Sequence, residues 1–409
     1  MKRYIPWLSL LLLVLVAFSV QGCFGIGDNG SSSSTPSNTK TITKSKTGQD
    51  VGVNQTQDLF KGKIYFTIDR NIWVYDGKGN TKQLTSAVDT RNPAVSPNGK
   101  TLIFTVHFKD YDNLEFMSAS GGPHHTLITG IGQYYQDAQF LKSTYHWIEQ
   151  PTWSPDGSHI IFLTDLQKED WYSLGNNSAY FNAPFLDLEV FSAPFKSQEL
   201  TEKNPQMQIV AYASFGDGGD TDPSYRPGHP NQLIYTHYAY DSTGTQQVIQ
   251  IYLVDSTMIA THPDVYSNPL RDPGVPITPA NVQNIQPAFS SNGNAIAYVR
   301  RESSTSMGLY VMPVPEGVTS DPTNPAIQQK ALQPYAKSSF ILRQQFISRP
   351  VWSPDGSQIA YISYDNGTFD LWLANINFDS KTGTYSMKGS PVQLTTGGVD
   401  GDSRPFWTP

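Results

Sequence analysis

The sequence predicts an all-β fold: a six-bladed β-propeller with one blade closed by both chain ends. Three observations predict it. A short phrase recurs along the chain, each copy leads through a tight-turn signal into an apolar run, and the two ends carry complementary fragments of one unit. The clear copies are Pro93-Ala-Val-Ser-Pro-Asn-Gly99, Pro151-Thr-Trp-Ser-Pro-Asp-Gly157, Pro287-Ala-Phe-Ser-Ser-Asn-Gly293 and Pro350-Val-Trp-Ser-Pro-Asp-Gly356. Weaker copies are Pro223-Ser-Tyr-Arg-Pro-Gly228 and Pro405-Phe-Trp-Thr-Pro409. The leading prolines lie 55 to 72 residues apart, by subtraction of their numbers. Such a period marks a supersecondary unit that buries its apolar surface only against its neighbours.

Each element follows in order. The Asn-Gly or Asp-Gly step allows a tight turn because glycine tolerates positive φ, so phrase and following run form a hairpin. The second strands are Leu102–Thr105, Ile160–Leu163, Leu233–Thr236, Ile296–Val299 and Ile359–Ile362. They are apolar on both faces, which suits a sheet sandwiched between others. Third strands follow at Leu114–Phe116, Leu188–Val190, Ile251–Leu253, Leu309–Val311 and Leu371–Leu373. Fourth strands carry a Leu-Thr-like end at Leu127–Thr129, Leu200–Thr201, Ile277–Thr278, Leu332 and Leu394–Thr395. Four short antiparallel strands per unit make a propeller blade. Gly62–Thr67, Ile72–Tyr75 and Gln83–Thr85 supply second, third and fourth strands with no first strand before them. Phe406–Pro409 supplies a first strand, and joining the two closes the ring and removes its open edge.

The Trp-Ser-Pro-Asp-Gly phrase, followed by Ile-Ala-Tyr and a Leu-Thr end, resembles the WD-like propeller repeat of the TolB family, over about residues 60 to 409. TolB itself carries an α/β domain before its propeller, and no room for one is found between the leader and Gly62. The resemblance is therefore to the TolB propeller, and TolB's partners are not carried over. The same repeat occurs in the propellers of prolyl-oligopeptidase-like enzymes, whose α/β-hydrolase domain is not matched by any segment here.

The first residues read as an address. Lys2 and Arg3 precede an apolar core from Leu8 to Val20 that is short for a stable span. Val20-Gln-Gly-Cys23 resembles the lipobox of bacterial lipoproteins, which makes residues 1–22 a signal peptide and Cys23 the lipidated residue. The alternative is an ordinary secretory leader with an incidental cysteine. Cys23 is the only cysteine, so no internal disulfide forms. A two-chain anchor is stable, because each buried methylene contributes roughly 0.8 kcal/mol. Residues 23–58 are rich in Ser, Thr, Asn, Gly and Lys and read as a disordered tether, with a reach of roughly 30–35 Å. Residues 59–409 are the propeller. The expected location is the extracytoplasmic face of a cell membrane, held by lipid.

A formal charge of −7 gives no reason to expect nucleic-acid binding. There is no Gly-x-Ser-x-Gly elbow for a hydrolase serine, and no His-x-x-x-His pair on any predicted helix. The long loops share one face, where function in such scaffolds concentrates. Three groups stand out there. Tyr134, Tyr135, Trp147, Trp171 and Tyr172, with Tyr145 nearby, offer an aromatic surface for a protein, peptide or glycan, or else cap the ring. Asp217, Asp220 and Asp222 sit on a Gly-rich loop where carboxylates ligate calcium, although they are also ordinary turn residues. Asp400 and Asp402 are a fainter version.

The residues before the phrase prolines, Asn92, Gln150, Asp222, Gln286, Arg349 and Arg404, should ring the channel mouth. Two arginines there offer a carboxylate fork, or bond neighbouring loops. His107 and His237 fall near the ends of second strands, and some propeller lyases hold a metal with channel histidines. The sequence thus predicts a binding module for an envelope protein or peptide, requiring no cofactor, with calcium as the candidate ion. The alternatives are a propeller lyase or hydrolase acting on polysaccharide, and a structural subunit of an envelope complex.

Overall fold

The computed structural model describes residues 38–131, 145–166, 187–200, 207–213, 216–257, 272–319, 321–365 and 367–409. Compact unit Pro36–Pro409 contains all of them. The described residues form seven antiparallel sheets, against the six blades expected. Sheet 1 joins Phe406–Thr408 to Lys63–Ile68, Asn71–Asp76 and Thr81–Gln83. Sheet 2 is Asp89–Val95, Thr101–His107, Asp112–Ser118 and His125–Ile128. Sheet 3 is Ile148–Trp153, His159–Thr164, Glu189–Pro194 and Gln208–Ala211. Sheet 4 is Asp220–Arg226, His229–Tyr240, Gln247–Asp255 and Val275–Pro276. Sheet 5 is Asn284–Phe289, Ala295–Arg301, Met307–Pro313 and Ser339–Gln344. Sheet 6 is Ile347–Trp352, Gln358–Asp365 and Thr368–Asp379, with Thr384–Met387 and Val392–Gln393 both on the last of these. Sheet 7 is Thr39–Lys44, Asp50–Asn54 and Thr395–Thr396.

Sheet 7 corrects both the blade count and the tether, because its first two strands lie inside residues 23–58. Thr39–Lys44 is mostly exposed, so its polar composition is that of a solvated edge. In Asp50–Asn54, Val51 and Val53 are fully buried in a cluster with Ile64, Tyr75, Leu371 and Leu394. Fully burying a valine stabilises by roughly 1.5–3 kcal/mol, which two such residues bring to this short strand. Gly52 lies close to Thr39 and Thr396, where a Cβ would meet the Thr39 methyl at 2.4 Å. The Tyr75 hydroxyl donates to the Asn54 carbonyl at 2.5 Å, tying sheet 7 to sheet 1.

The closure of one blade by both ends is present. Phe406, Trp407 and Thr408 pair with Tyr65, Ile64 and Lys63. Trp407 is buried, meets Phe60 edge-on, and donates its Nε1–H to the Lys61 carbonyl at 2.8 Å. The first strands of sheets 1 to 6 touch in order and return to sheet 1. Six apolar clusters fill the spaces between successive sheets, each with side chains from both sides.

The repeat acts through a fixed set of hydrogen bonds. In the four clear copies, the serine hydroxyls of Ser96, Ser154, Ser290 and Ser353 donate to Asn98, Asp156, Asn292 and Asp355 at 2.6–2.8 Å. Each hydroxyl also accepts the N–H that opens the second strand. The glycine after the Asn or Asp has φ of 70–72°, the left-handed turn that the residue allows. Trp153 and Trp352 donate their indole N–H groups to Ala94 and Ala288 carbonyls in the preceding sheet. The Leu-Thr end has a role too: the hydroxyls of Thr85, Thr278 and Thr395 each accept an N–H from their third strand, at Ile72, Ile251 and Leu371.

Two expected fourth strands are displaced. In sheet 3 the strand is Gln208–Ala211, beyond Leu200–Thr201. In sheet 5, Leu332 ends helix Pro325–Leu332, which Asn324 caps through the Ala326 N–H at 2.9 Å, and the strand is Ser339–Gln344.

Candidate functional site: the channel and its two mouths

The first strands of sheets 2 to 6 bulge at the residue before the phrase proline. Asn92, Gln150, Asp222, Gln286 and Arg349 all adopt φ between 50° and 57°. The strand register shifts at each of these points. Non-glycine residues rarely take this conformation, which costs of order 1–3 kcal/mol and persists only where the surroundings enforce it. Here the enforcement is mutual. Gln150 Oε1 accepts the Asp222 N–H at 2.6 Å, Gln286 Oε1 accepts the Arg349 N–H at 2.9 Å, and Asn92 Oδ1 accepts the Arg404 N–H at 2.9 Å. The six expected positions therefore do come together, in three side-chain-to-backbone pairs between adjacent sheets.

The two arginines work inside the channel. Arg349 forms an ion pair with Asp222 across the ring. Arg404 reaches the carbonyls of Pro223 at 2.8 Å, Pro151 at 3.3 Å and Gln150 at 3.5 Å. Burial, with Arg349 close by, lowers the Arg404 pKa to about 10. Their guanidinium groups stitch the channel shut at this level.

On one side of that level lies a funnel of about 730 Å³. Its rim is built from first-to-second hairpins, among them Asn98, Pro155, Gly228, Ser291 and Pro354, and its base includes Asp222, Gln286, Arg349 and Arg404. This is the hairpin face. The sequence pointed to the other face, and short connections built around prolines gave no hint that five of them, with Thr408 and Pro409, would enclose a cavity.

The opposite mouth holds the ionisable groups. His107 closes its strand beside Asp112, with Nδ1 and Oδ1 2.7 Å apart. Trp147 stacks on the His107 ring at 5.5 Å and fixes its plane. Asp112 accepts the Ile148 N–H at 3.3 Å, and Glu149 accepts the Asn92 side-chain N–H at 2.7 Å. The ligand atoms of His107, Asp112 and Glu149 lie within 4.8 Å of one another. Burial raises the Asp112 pKa well above the carboxylate range, with the charge of Glu149 adding to it. Burial likewise raises Glu149, and burial with Arg91 nearby lowers His107.

A second cluster joins Asp220, His237 and Asp272 in sheet 4 and the loop that precedes its last strand. His237 Nδ1 is 2.8 Å from Asp220 and 3.7 Å from Asp272. Asp272 also accepts the Tyr235 hydroxyl, the Gly274 N–H at 2.6 Å and the Tyr212 N–H at 3.1 Å. Burial opposes the charge on His237, yet Asp272 and Asp220 together raise its pKa to about 9. Burial holds Asp272 up at about 6. This cluster supplies its own cation, the imidazolium.

The remaining expected residues divide. Asp217, Asp220 and Asp222 take different partners: the Asp217 carbonyl accepts from Gln247, Asp220 pairs with His237, and Asp222 pairs with Arg349. Asp402 pairs with Arg70, while Asp400 accepts the Arg70 N–H. Trp147 is half-buried over His107, and Tyr145 is exposed in a stack with Tyr111 and Phe108. Cys23, Tyr134, Tyr135, Trp171 and Tyr172 lie outside the described residues. Asp112, Glu149 and Asp272 were missed in the sequence. The only signal for Asp112 is its place in a short turn after His107, and Asp272 stands in no repeat position.

The ring of sheets and the closed channel define the chain as a β-propeller. No protein-family model matches the sequence, and no curated protein is detectably similar to it. Among solved structures, TolB from Acinetobacter baumannii is similar at a TM-score of 0.50 and 16% identity, over 85% of this chain and 66% of that one. Kuenenia stuttgartiensis hydrazine synthase is similar at 0.50 and 12% identity, over 83% of this chain and 47% of that one. An oligogalacturonate lyase in complex with manganese aligns at 0.44 and 14% identity, over 86% and 84%. The chain thus spans less than two thirds of the TolB structure and under half of the hydrazine synthase chain. At these identities the likeness shows a shared propeller fold.

Proposed function

We propose that this chain is an extracytoplasmic binding propeller, anchored through a lipid on Cys23, and that its ligand is a protein or peptide. The observation that carries this reading is the blind funnel of about 730 Å³, which is within the usual size of ligand sites. Its walls come from strands held by mutual hydrogen bonds, so an incoming segment meets a preorganised surface and little ordering cost is added on binding. The arginines at its base are already engaged, which favours holding a segment over transforming one. A polysaccharide lyase or hydrolase is the second reading, favoured by the imidazole and two carboxylates at the other mouth.

The test is photo-crosslinking in cells, with a crosslinking residue at Asn98 or Ser291 on the funnel rim, or at Tyr145 on the opposite side. A discrete adduct from the rim positions supports the funnel. Adducts from Tyr145 alone transfer the site to the long-loop face. No adduct from any of the three removes the binding reading. For the anchor, Cys23→Ser should move the chain from the membrane fraction to the soluble one, and retention in the membrane would refute lipidation.

A further inference from the structure

We infer that His107, Asp112 and Glu149 form a site for one divalent transition-metal ion at the long-loop mouth of the channel, the class represented by Mn²⁺ or Zn²⁺. Three elements converge there: the end of Thr101–His107, the start of Asp112–Ser118, and the first strand of the next sheet, Ile148–Trp153. Each brings one ligand atom, and the three atoms lie within 4.8 Å of one another. Ligand atoms on a single ion with bonds near 2.1 Å stand at most about 4.2 Å apart, so the group has to draw in only slightly for all three to bind the same ion.

The orientations are already set. Trp147 stacks on the imidazole, the Ile148 N–H holds Asp112, and Asn92 holds Glu149. Such outer contacts are what orient metal ligands, and each leaves lone pairs on the carboxylate oxygens.

Charge balance is the independent support. The nearby guanidinium groups are hydrogen-bonded elsewhere: Arg91 is bidentate to Asp89 at 2.8 and 2.9 Å, and Arg70 Nη1 donates to both oxygens of Asp402 at 2.7 and 2.8 Å. Arg349 is paired with Asp222. Asp112 and Glu149 are left facing each other with a histidine as their shared neighbour. Two carboxylates brought out of water need a counter-cation or a proton. The Asp220–His237–Asp272 group differs, because there a buried imidazole bridges two carboxylates and a tyrosine hydroxyl and two backbone N–H groups complete the shell.

One nitrogen and two carboxylates suit borderline ions, whereas calcium prefers a shell of oxygens alone. His107 and Glu149 are partly exposed, which gives an ion a route in and leaves positions for water. Binding must displace any proton that His107 shares with Asp112, so it releases protons.

The test uses the full chain in detergent, freed of metal with EDTA and titrated with Mn²⁺ while the free-ion EPR signal is followed. One Mn²⁺ per chain is expected, with a nitrogen coupling in the pulsed spectrum that disappears in His107→Gln. Asp112→Asn and Glu149→Gln should each weaken binding about 10-fold or more, with Asp220→Asn unchanged as the comparison. Each variant is checked for an intact thermal transition. Glu149→Gln, whose side chain is partly exposed, keeps the test decisive if Asp112→Asn fails to fold. Absence of stoichiometric Mn²⁺ and Zn²⁺ binding at millimolar ion would overturn the inference. So would binding that survives all three site variants, or that is lost in Asp220→Asn.

Discussion

Replacing His237 with Gln and Asp220 with Asn together should flatten the dependence of stability on alkaline pH. The double change removes the imidazole together with its nearest carboxylate, and Asp272 keeps the Tyr235 hydroxyl and the Gly274 and Tyr212 N–H groups as donors. In the native protein His237 Nδ1 lies 2.8 Å from Asp220 and 3.7 Å from Asp272, and its pKa rises from 6.5 to about 9. A folded pKa above the unfolded one means that folding takes up a proton. The stabilisation is therefore fully present below about pH 6.5 and is lost as pH climbs through about 9. At ~1.4 kcal/mol per pH unit, the swing is on the order of 3 kcal/mol. Asp272, at about 6, is ionised across nearly all of that window and adds little slope of its own. The assay is urea unfolding of both proteins from about pH 6 to about pH 10, read as the difference between them at each pH. The native protein's advantage should shrink steadily with rising pH. A constant difference would refute the reasoning, because it would mean that folding does not raise the His237 pKa.

Three further outcomes are expected. Arg404→Ala removes the guanidinium from the Pro223, Pro151 and Gln150 carbonyls, and should lower stability by about 1–3 kcal/mol, measured by chemical denaturation; an unchanged midpoint would show that the plug contributes nothing. Trp407→Ala empties a buried site beside Phe60 and loses the bond to Lys61, so a loss of about 3–5 kcal/mol is expected in the same measurement. Deleting residues 24–54 while keeping Cys23 should lower the thermal midpoint, because it strips Val51 and Val53 from their cluster; a midpoint equal to the native one would restore the tether reading.

The repeat was legible because each of its residues has a chemical task. Serine and Asn or Asp build the turn, glycine supplies the left-handed residue, tryptophan bonds to the sheet before it, and threonine accepts an N–H of the third strand. The same regularity revealed the channel positions, since a residue before proline recurs six times. What escaped lay outside the repeat. Thr39–Asn54 has few apolar residues, and two buried valines are too small a signal against that polar background. Leu332 looked like a strand end because the interval suggested one, whereas Asn324-Pro325 is a helix start that outweighed it. Asp272 reaches His237 only once sheet 4 has formed, and Glu149 reaches Asp112 only once sheets 2 and 3 pack together, so the linear order of the repeat does not pair them.

Ring closure is also an event in time. Trp407 meets a carbonyl 346 positions earlier in the chain, and the residue that crosses the channel, Arg404, is made almost as late. Until those residues emerge, Lys63–Ile68 has no first strand beside it, the Phe60 pocket is open, and the carbonyls of Gln150, Pro151 and Pro223 have no guanidinium to meet. Contacts this distant in sequence form slowly, because the loop must close before they return anything. The nascent chain therefore stays unlatched, with one strand edge exposed, until its last residues have been made. It locks only then, and the period before latching is when it is most prone to stick to another copy of itself.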